Sequence, residues 1–109
     1  MEIDESLAVA ALGALAQPHR LAAFRHLVQA GPAGTTVGEL RDALGIPAAT
    51  LSAHLNTLRR AGLVADTREG RTIRIRADFA RMDALLGFLT ENCCGGAPCT
   101  PAPATSSCC

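Results

Sequence analysis

Ile3, Leu7, Ala11 and Leu15, with Leu12 beside them, recur at helical spacing and predict a first helix over residues 3–16. Pro18 stops it and suits the first position of a second helix, where a missing N–H costs nothing. That helix runs to about Ala30, with Leu21, Phe24, Leu27 and Val28 on one face. Gly31-Pro32-Ala33-Gly34 is a loop. Thr36 and Glu39 then stand at the spacing of a capping box, a hydroxyl with a Glu three residues on. The third helix is short and ends at Gly45. A fourth opens at Ile46-Pro47, buries a stripe of Leu51, Leu55 and Leu58, and ends at Gly62.

The period changes after Gly62. Two short strands are predicted over residues 63–67 and 72–76, joined by Arg68-Glu69-Gly70-Arg71. Ile73 and Ile75 alternate with Thr72, Arg74 and Arg76, the pattern of a half-buried strand. Asp78 caps a last helix with Phe79, Met82, Leu85, Leu86 and Leu89 on one stripe, running out near Asn92. Residues 95–109 are rich in Gly, Pro, Ala, Ser and Thr and should be irregular. The expected order is four helices, a two-stranded hairpin and a fifth helix, with no internal repeat. The division is a domain over residues 1–92 and a flexible cysteine-rich tail over 93–109.

Composition narrows the class. In 109 residues, 49% are hydrophobic and 18% charged, which is globular rather than disordered. Aromatics are 3%, with no Trp or Tyr, which argues against stacking platforms for single strands or sugars. The apolar run from Leu7 to Ala16 is too short for a bilayer, which needs about 20 residues. Glu2, Asp4 and Glu5 before it have the wrong sign for a signal peptide, so a cytoplasmic location is expected. No paired base and nucleophile and no phosphate-cradling loop points to an enzyme.

Ten arginines balance ten acids, yet the balance is uneven along the chain. Residues 59–76 carry Arg59, Arg60, Arg68, Arg71, Arg74 and Arg76 against Asp66 and Glu69, a net +4. That charge falls on the end of the fourth helix and on the hairpin. The third and fourth helices, joined by a tight turn, form a helix-turn-helix candidate, and the hairpin has the look of a wing. With its leucines inward, the fourth helix leaves small and hydroxylic side chains outward, suited to close approach to base edges and phosphates. The candidate contacts with double-stranded DNA are Thr50, Ser52, Ala53, His54, Thr57, Arg60, Arg68 and Arg71. For His54 a packing or capping role stands beside the DNA role. For the arginines the alternative is an ordinary solvated surface.

Several stretches resemble the ArsR/SmtB family of winged-helix repressors. They are Leu51-Ser52-Ala53-His54-Leu55-Asn56-Thr57-Leu58, Ala61-Gly62-Leu63-Val64 and Arg68-Glu69-Gly70-Arg71. Leu15-Ala16-Gln17-Pro18-His19-Arg20-Leu21 is similar to the family's junction between its first two helices. The resemblance covers about residues 6–92. It implies a winged helix-turn-helix homodimer, paired through the first and last helices, that represses transcription of its own operon and releases DNA when a metal or metalloid binds.

All five cysteines lie in the last 17 residues: Cys93, Cys94, Cys99, Cys108 and Cys109. In a reducing compartment such a cluster points to metal binding or redox chemistry rather than a disulfide staple. The family's site at the start of the third helix is absent, because Thr36-Val37-Gly38-Glu39-Leu40-Arg41 has no Cys. Its zinc site on the last helix looks absent as well, because residues 78–92 hold no His. Leu89-Thr90-Glu91-Asn92-Cys93-Cys94 resembles the arsenic-responsive subgroup whose cysteines follow the last helix. The resemblance implies a metal site of Cys93, Cys94 and Cys99, with As(III) or Sb(III) as the inducer and no organic cofactor. Three thiolates suit a trigonal-pyramidal ion whose lone pair fills the fourth direction, and soft ligands select against Mg²⁺ and Ca²⁺. Cys93 follows a helix C-terminus, where the dipole disfavours a thiolate, so binding must drive deprotonation.

Adding Cys108 or Cys109 would give four sulfurs, a set for Zn²⁺ or Cd²⁺. The competing readings are a repressor of the same fold that senses Cd, Zn or redox state, and a thiol-rich metal buffer that does not bind DNA.

Overall fold

A computed structural model describes residues 3–96 of the chain. Helix α1 spans Glu5–Leu15, within the 3–16 that the leucine spacing suggested. The Asp4 carboxylate sets its start by accepting the backbone N–H of Leu7 at 2.7 Å. Helix α2 spans Pro18–Ala30, with Pro at its first position as expected. The Gln17 side chain caps it, accepting the Arg20 N–H at 2.9 Å. Arg20 Nε donates to the Ala14 carbonyl at 2.7 Å and ties the start of α2 to the end of α1. The two axes turn through 103° at this corner.

A two-residue strand β1, Thr35–Thr36, follows and was not anticipated. It is too short to show alternation, and only its partner reveals it. Helix α3 spans Val37–Leu44, helix α4 Ala48–Arg60, strand β2 Val64–Glu69, strand β3 Thr72–Ala77 and helix α5 Phe79–Thr90. A 3₁₀ turn, Cys93–Gly96, ends the described chain. Five helices and a three-stranded antiparallel sheet form a winged helix-turn-helix. The sheet order is β1-β3-β2, with Thr35 opposite Ile75 and Asp66 opposite Ile75 from the other side.

The local signals hold at most ends. Thr36 accepts the Glu39 N–H at 3.1 Å, and Asp78 accepts the Arg81 N–H at 3.0 Å. The capping box closes differently from its pattern, however. The Glu39 carboxylate accepts the Thr35 hydroxyl at 3.0 Å, which satisfies a buried strand residue. The hairpin strands run longer than expected. Glu69 pairs with Thr72, so the turn shrinks to Gly70-Arg71.

The helical faces required correction. Leu51, Leu55 and Leu58 of α4 are buried as expected, with Leu27, Leu40, Leu63 and Ile75 around them. The buried face of α1 is instead Ala8, Ala11 and Ala14, and Leu7 and Leu12 point outward. In α2 the buried set is Ala23, Phe24 and Leu27, with Leu21 exposed. In α5 only Leu85 is buried, while Leu86 and Leu89 are each 53% exposed. Alanine lets helix backbones approach closely, so the small stripe faces the core and the larger stripe is left outside.

The loop before β1 is locked to the wing. Arg74 Nε donates to the Ala33 carbonyl and its Nη2 to the Gly34 carbonyl, each at 3.0 Å. Gly34 has φ +69, and a Cβ placed there would fall on the Ile75 carbonyl. Gly34→Ala should therefore lose more than the roughly 1–3 kcal/mol of left-handed strain alone. Gly13, inside α1, has open space at its Cβ position. Gly13→Ala should gain about 0.5–1 kcal/mol. Thermal unfolding of the reduced protein, where 1 kcal/mol corresponds to about 4–8 °C, should move the two midpoints in opposite directions.

Candidate nucleic-acid interface and thiol site

Helix α4 is positioned by its own buried stripe. Leu51, Leu55 and Leu58 anchor one side, so Thr50, Ser52, Ala53, Asn56 and Arg60 are carried to the exposed side. Three residues, Gly45-Ile46-Pro47, separate α4 from α3. Pro47 offers no side-chain cap, and no acidic residue lies in the first turn of α4. That end therefore keeps the positive potential of its backbone N–H groups. Thr57 is half-buried; its hydroxyl donates to the Ala53 carbonyl at 3.2 Å and accepts Arg60 Nη2 at 3.4 Å.

His54 sits at the border of this face and is half-buried. Its ring lies 5.7 Å from that of His19, tilted by 45°. Burial holds its pKa below the ordinary imidazole value, and the positive charges of Arg20 and His19 push it in the same direction. His54 thus packs on the start of α2 while remaining beside the exposed face.

The six arginines divide into two sets. Arg59 is held within the fold, with Nη1 donating to Asn56 Oδ1 at 2.7 Å and Nε facing the Asp66 carboxylate at 3.1 Å. That pair ties the end of α4 to β2. Arg74 holds the loop described above, and Arg76 Nε donates to Thr67 Oγ1 across the hairpin at 3.2 Å. Arg60, Arg68 and Arg71 are exposed. Arg68 and Arg71 lie at the wing tip, where Arg68 Nε donates to the Gly70 carbonyl at 3.3 Å. The +4 count over residues 59–76 therefore overstates the charge available to a ligand. The sequence carried no signal for the Arg59–Asp66 tie or the His19–His54 contact, because neither follows from a local period.

Cys93 and Cys94 follow α5 after Glu91 and Asn92. Cys93 is half-buried and Cys94 exposed. Asn92 and Cys94 have φ of 55° and 56°, so the chain curls at the helix end instead of extending away. Cys99 lies outside the described residues, as do Cys108 and Cys109. Among the described residues no group of three His, Cys, Asp or Glu is placed to hold a metal ion. No single helix among them is long and apolar enough to cross a membrane.

Residues 15–67, from the end of α1 into β2, match the family model of a helix-turn-helix domain. Among solved structures the chain is similar to HlyU from Vibrio cholerae N16961, at 32% identity and a TM-score of 0.66 over 86% of this chain and 99% of that one. It is similar to an ArsR-like transcriptional regulator from Rhodococcus sp. RHA1, at 27% identity and a TM-score of 0.69 over 77% and 76% of the two chains. It is also similar to the homodimeric winged helix-turn-helix DNA-binding domain Mb0332 from Mycobacterium bovis, a possible ArsR-family transcriptional regulator. Identity there is 30% and the TM-score 0.62, over 80% of this chain and 81% of that one. No curated protein sequence matches the chain. The outward polar face of α4, the arginines of the wing and these likenesses agree: the chain belongs to the ArsR family of winged helix-turn-helix transcriptional regulators.

Proposed function

We propose that the chain is an arsenic(III)-responsive repressor that binds operator DNA as a homodimer and leaves it when tail thiolates take up As(III) or Sb(III). The observation that carries this reading is the placement of Cys93 and Cys94 at the exit of α5. That helix carries the largest exposed leucines of the chain's second half, Leu86 and Leu89. Helix α1 adds Leu7, Val9 and Leu12, with Val9 63% exposed. Together they leave large apolar side chains exposed on two helices that touch each other. A second copy covering α1 and α5 would bury it, an assembly in keeping with the homodimer described for the Mycobacterium bovis domain.

The donor set fits the proposed inducer. In the reduced protein two adjacent cysteines, with Cys99 as the third, would offer soft sulfur to a three-coordinate ion and nothing suited to a hard cation. The described carboxylates and imidazoles add no competing cluster. Gathering the tail against the end of α5 acts on the dimer surface, and the two DNA-reading helices move with it. A coupling of about 1–3 kcal/mol would lower DNA affinity about 5–150-fold.

In the repressor, two α4 helices enter successive major grooves of a palindromic operator. Thr50, Ser52, Ala53, His54 and Thr57 face the bases and nearby phosphates, and Arg60, Arg68 and Arg71 the phosphate backbone. Arg68→Ala and Arg71→Ala should each weaken duplex binding and lower the salt slope by about one. Arg74→Ala should instead lower the melting temperature, because it releases the Ala33 and Gly34 carbonyls.

The deciding experiment is fluorescence anisotropy of the reduced protein on the duplex upstream of its own coding sequence, titrated with arsenite at fixed salt. Tight binding that collapses at about one arsenite per protomer supports the reading, that stoichiometry being one three-thiolate site per chain. Binding that arsenite leaves untouched rejects arsenic as the signal, and cadmium, zinc and an oxidant are then titrated in turn. Cys93→Ser and Cys94→Ser should bind DNA like the parent chain and lose release by arsenite. Normal release from either variant would place the site elsewhere.

A further inference from the structure

Three cationic or protonatable side chains meet where α2 begins and α4 passes. His19 and His54 have ring centroids 5.7 Å apart. Arg20 is fixed beside them by its bond to the Ala14 carbonyl. The groups that act on the His54 charge are Arg20 and His19, both from α2. From α1 the packed side chains are alanines and Leu15, none of them charged. From β2 the nearest acid along α4 is Asp66, which is held by Arg59 a full turn beyond His54. Glu39 and Asp42 lie on α3, which packs on α2, yet among the described residues no carboxylate acts on the His54 charge, so a proton there meets a guanidinium and another ring. At the same time His54 borders Thr50, Ala53 and Thr57 on the face assigned to DNA.

We infer that His54, packed on His19, is the protonatable part of the DNA interface: duplex binding takes up a proton there, so affinity rises as the pH falls. This rests on the DNA-binding reading above. The physical reason is a missing counter-charge. In the free protein His54 is half-buried beside Arg20 and His19, and burial and those charges disfavour its imidazolium. A phosphate brought near the same edge of α4 supplies the absent negative charge and favours it. Linkage then requires that whatever favours the proton on binding also makes binding tighter at lower pH.

The sign for the free protein is opposite. A histidine whose folded pKa lies below its unfolded value contributes stability above about pH 6.5. That contribution is lost as the pH falls through the lowered folded value. Acidification should therefore weaken the fold slightly while it strengthens the complex. A general electrostatic effect of acid on the whole protein would not single out one ring.

The test is the same anisotropy measurement, run from pH 7.5 to 5.5 at constant ionic strength in EDTA, which removes any metal bridging the two rings. The parent chain should tighten by about 3–10-fold per pH unit per protomer near and below pH 6.5, tenfold being the ceiling for one proton taken up. His54→Gln should flatten this slope, His19→Gln should reduce it, and His26→Gln should leave it unchanged. In parallel, NMR of the parent chain follows the His54 ring, which should titrate below 6.5 alone and move upward when duplex is added. The ring titration needs no variant, so a misfolded His54→Gln does not remove the test. Duplex binding with a flat pH profile, a slope that survives in His54→Gln, or a His54 midpoint unmoved by DNA would each overturn the inference and leave the repressor reading standing. No duplex binding at any pH would overturn both, and that result is distinct from a flat profile.

Discussion

Burial of the α4 leucine stripe is the constraint on which the rest of this structure depends. Leu51, Leu55 and Leu58 lie in the core, on a helix packed against α1, α2 and β2. Fully burying a leucine stabilises by about 1.5–3 kcal/mol, so three on one stripe fix the rotation of the helix about its axis. Once that rotation is fixed, Thr50, Ser52, Ala53 and Arg60 have nowhere to be but outside. The helix that faces DNA is thus also the helix that holds the domain together. Precise presentation of its outer face follows from dense packing of its inner one.

Two polar ties extend this rigidity to the wing. Arg59 joins the end of α4 to Asp66 on β2, and Arg74 joins β3 to the loop before β1. Such pairs contribute little to stability when exposed. Their effect is geometric, adding to the buried Val64, Ile75 and Ala77 and to the pairing of β3 with β1. The arginines nearest the core hold the wing in place, and those at its tip remain available to an anionic partner. Arginine serves both uses because its planar fork can engage two acceptors at once, as Arg59 and Arg74 do here.

A different logic governs α1 and α5. Their alanine and Leu85 positions make the intramolecular contact, and their larger leucines are left in solvent. A single copy of this small domain therefore buries only part of its apolar surface. In the proposed dimer a second copy covers that surface, and the proposed thiol site lies at the exit of α5 beside it.

Much of the fold was legible in the chain itself. Pro18, Thr36, Asp78 and the leucines of α4 act through local geometry, since a cap or a helical stripe involves residues within one or two turns. The element order, the helix-turn-helix and the wing follow from those signals. Tertiary structure decided what depends on residues distant in sequence. It selected alanine rather than leucine as the buried face of α1, because the choice rests on how near the neighbouring helices can come. It created β1, a strand that exists only as a partner for β3. It separated six similar arginines into those that hold the fold and those that face outward. And it brought His19 against His54 across 35 positions of sequence, a contact made by packing α2 on α4 and by nothing in either segment alone.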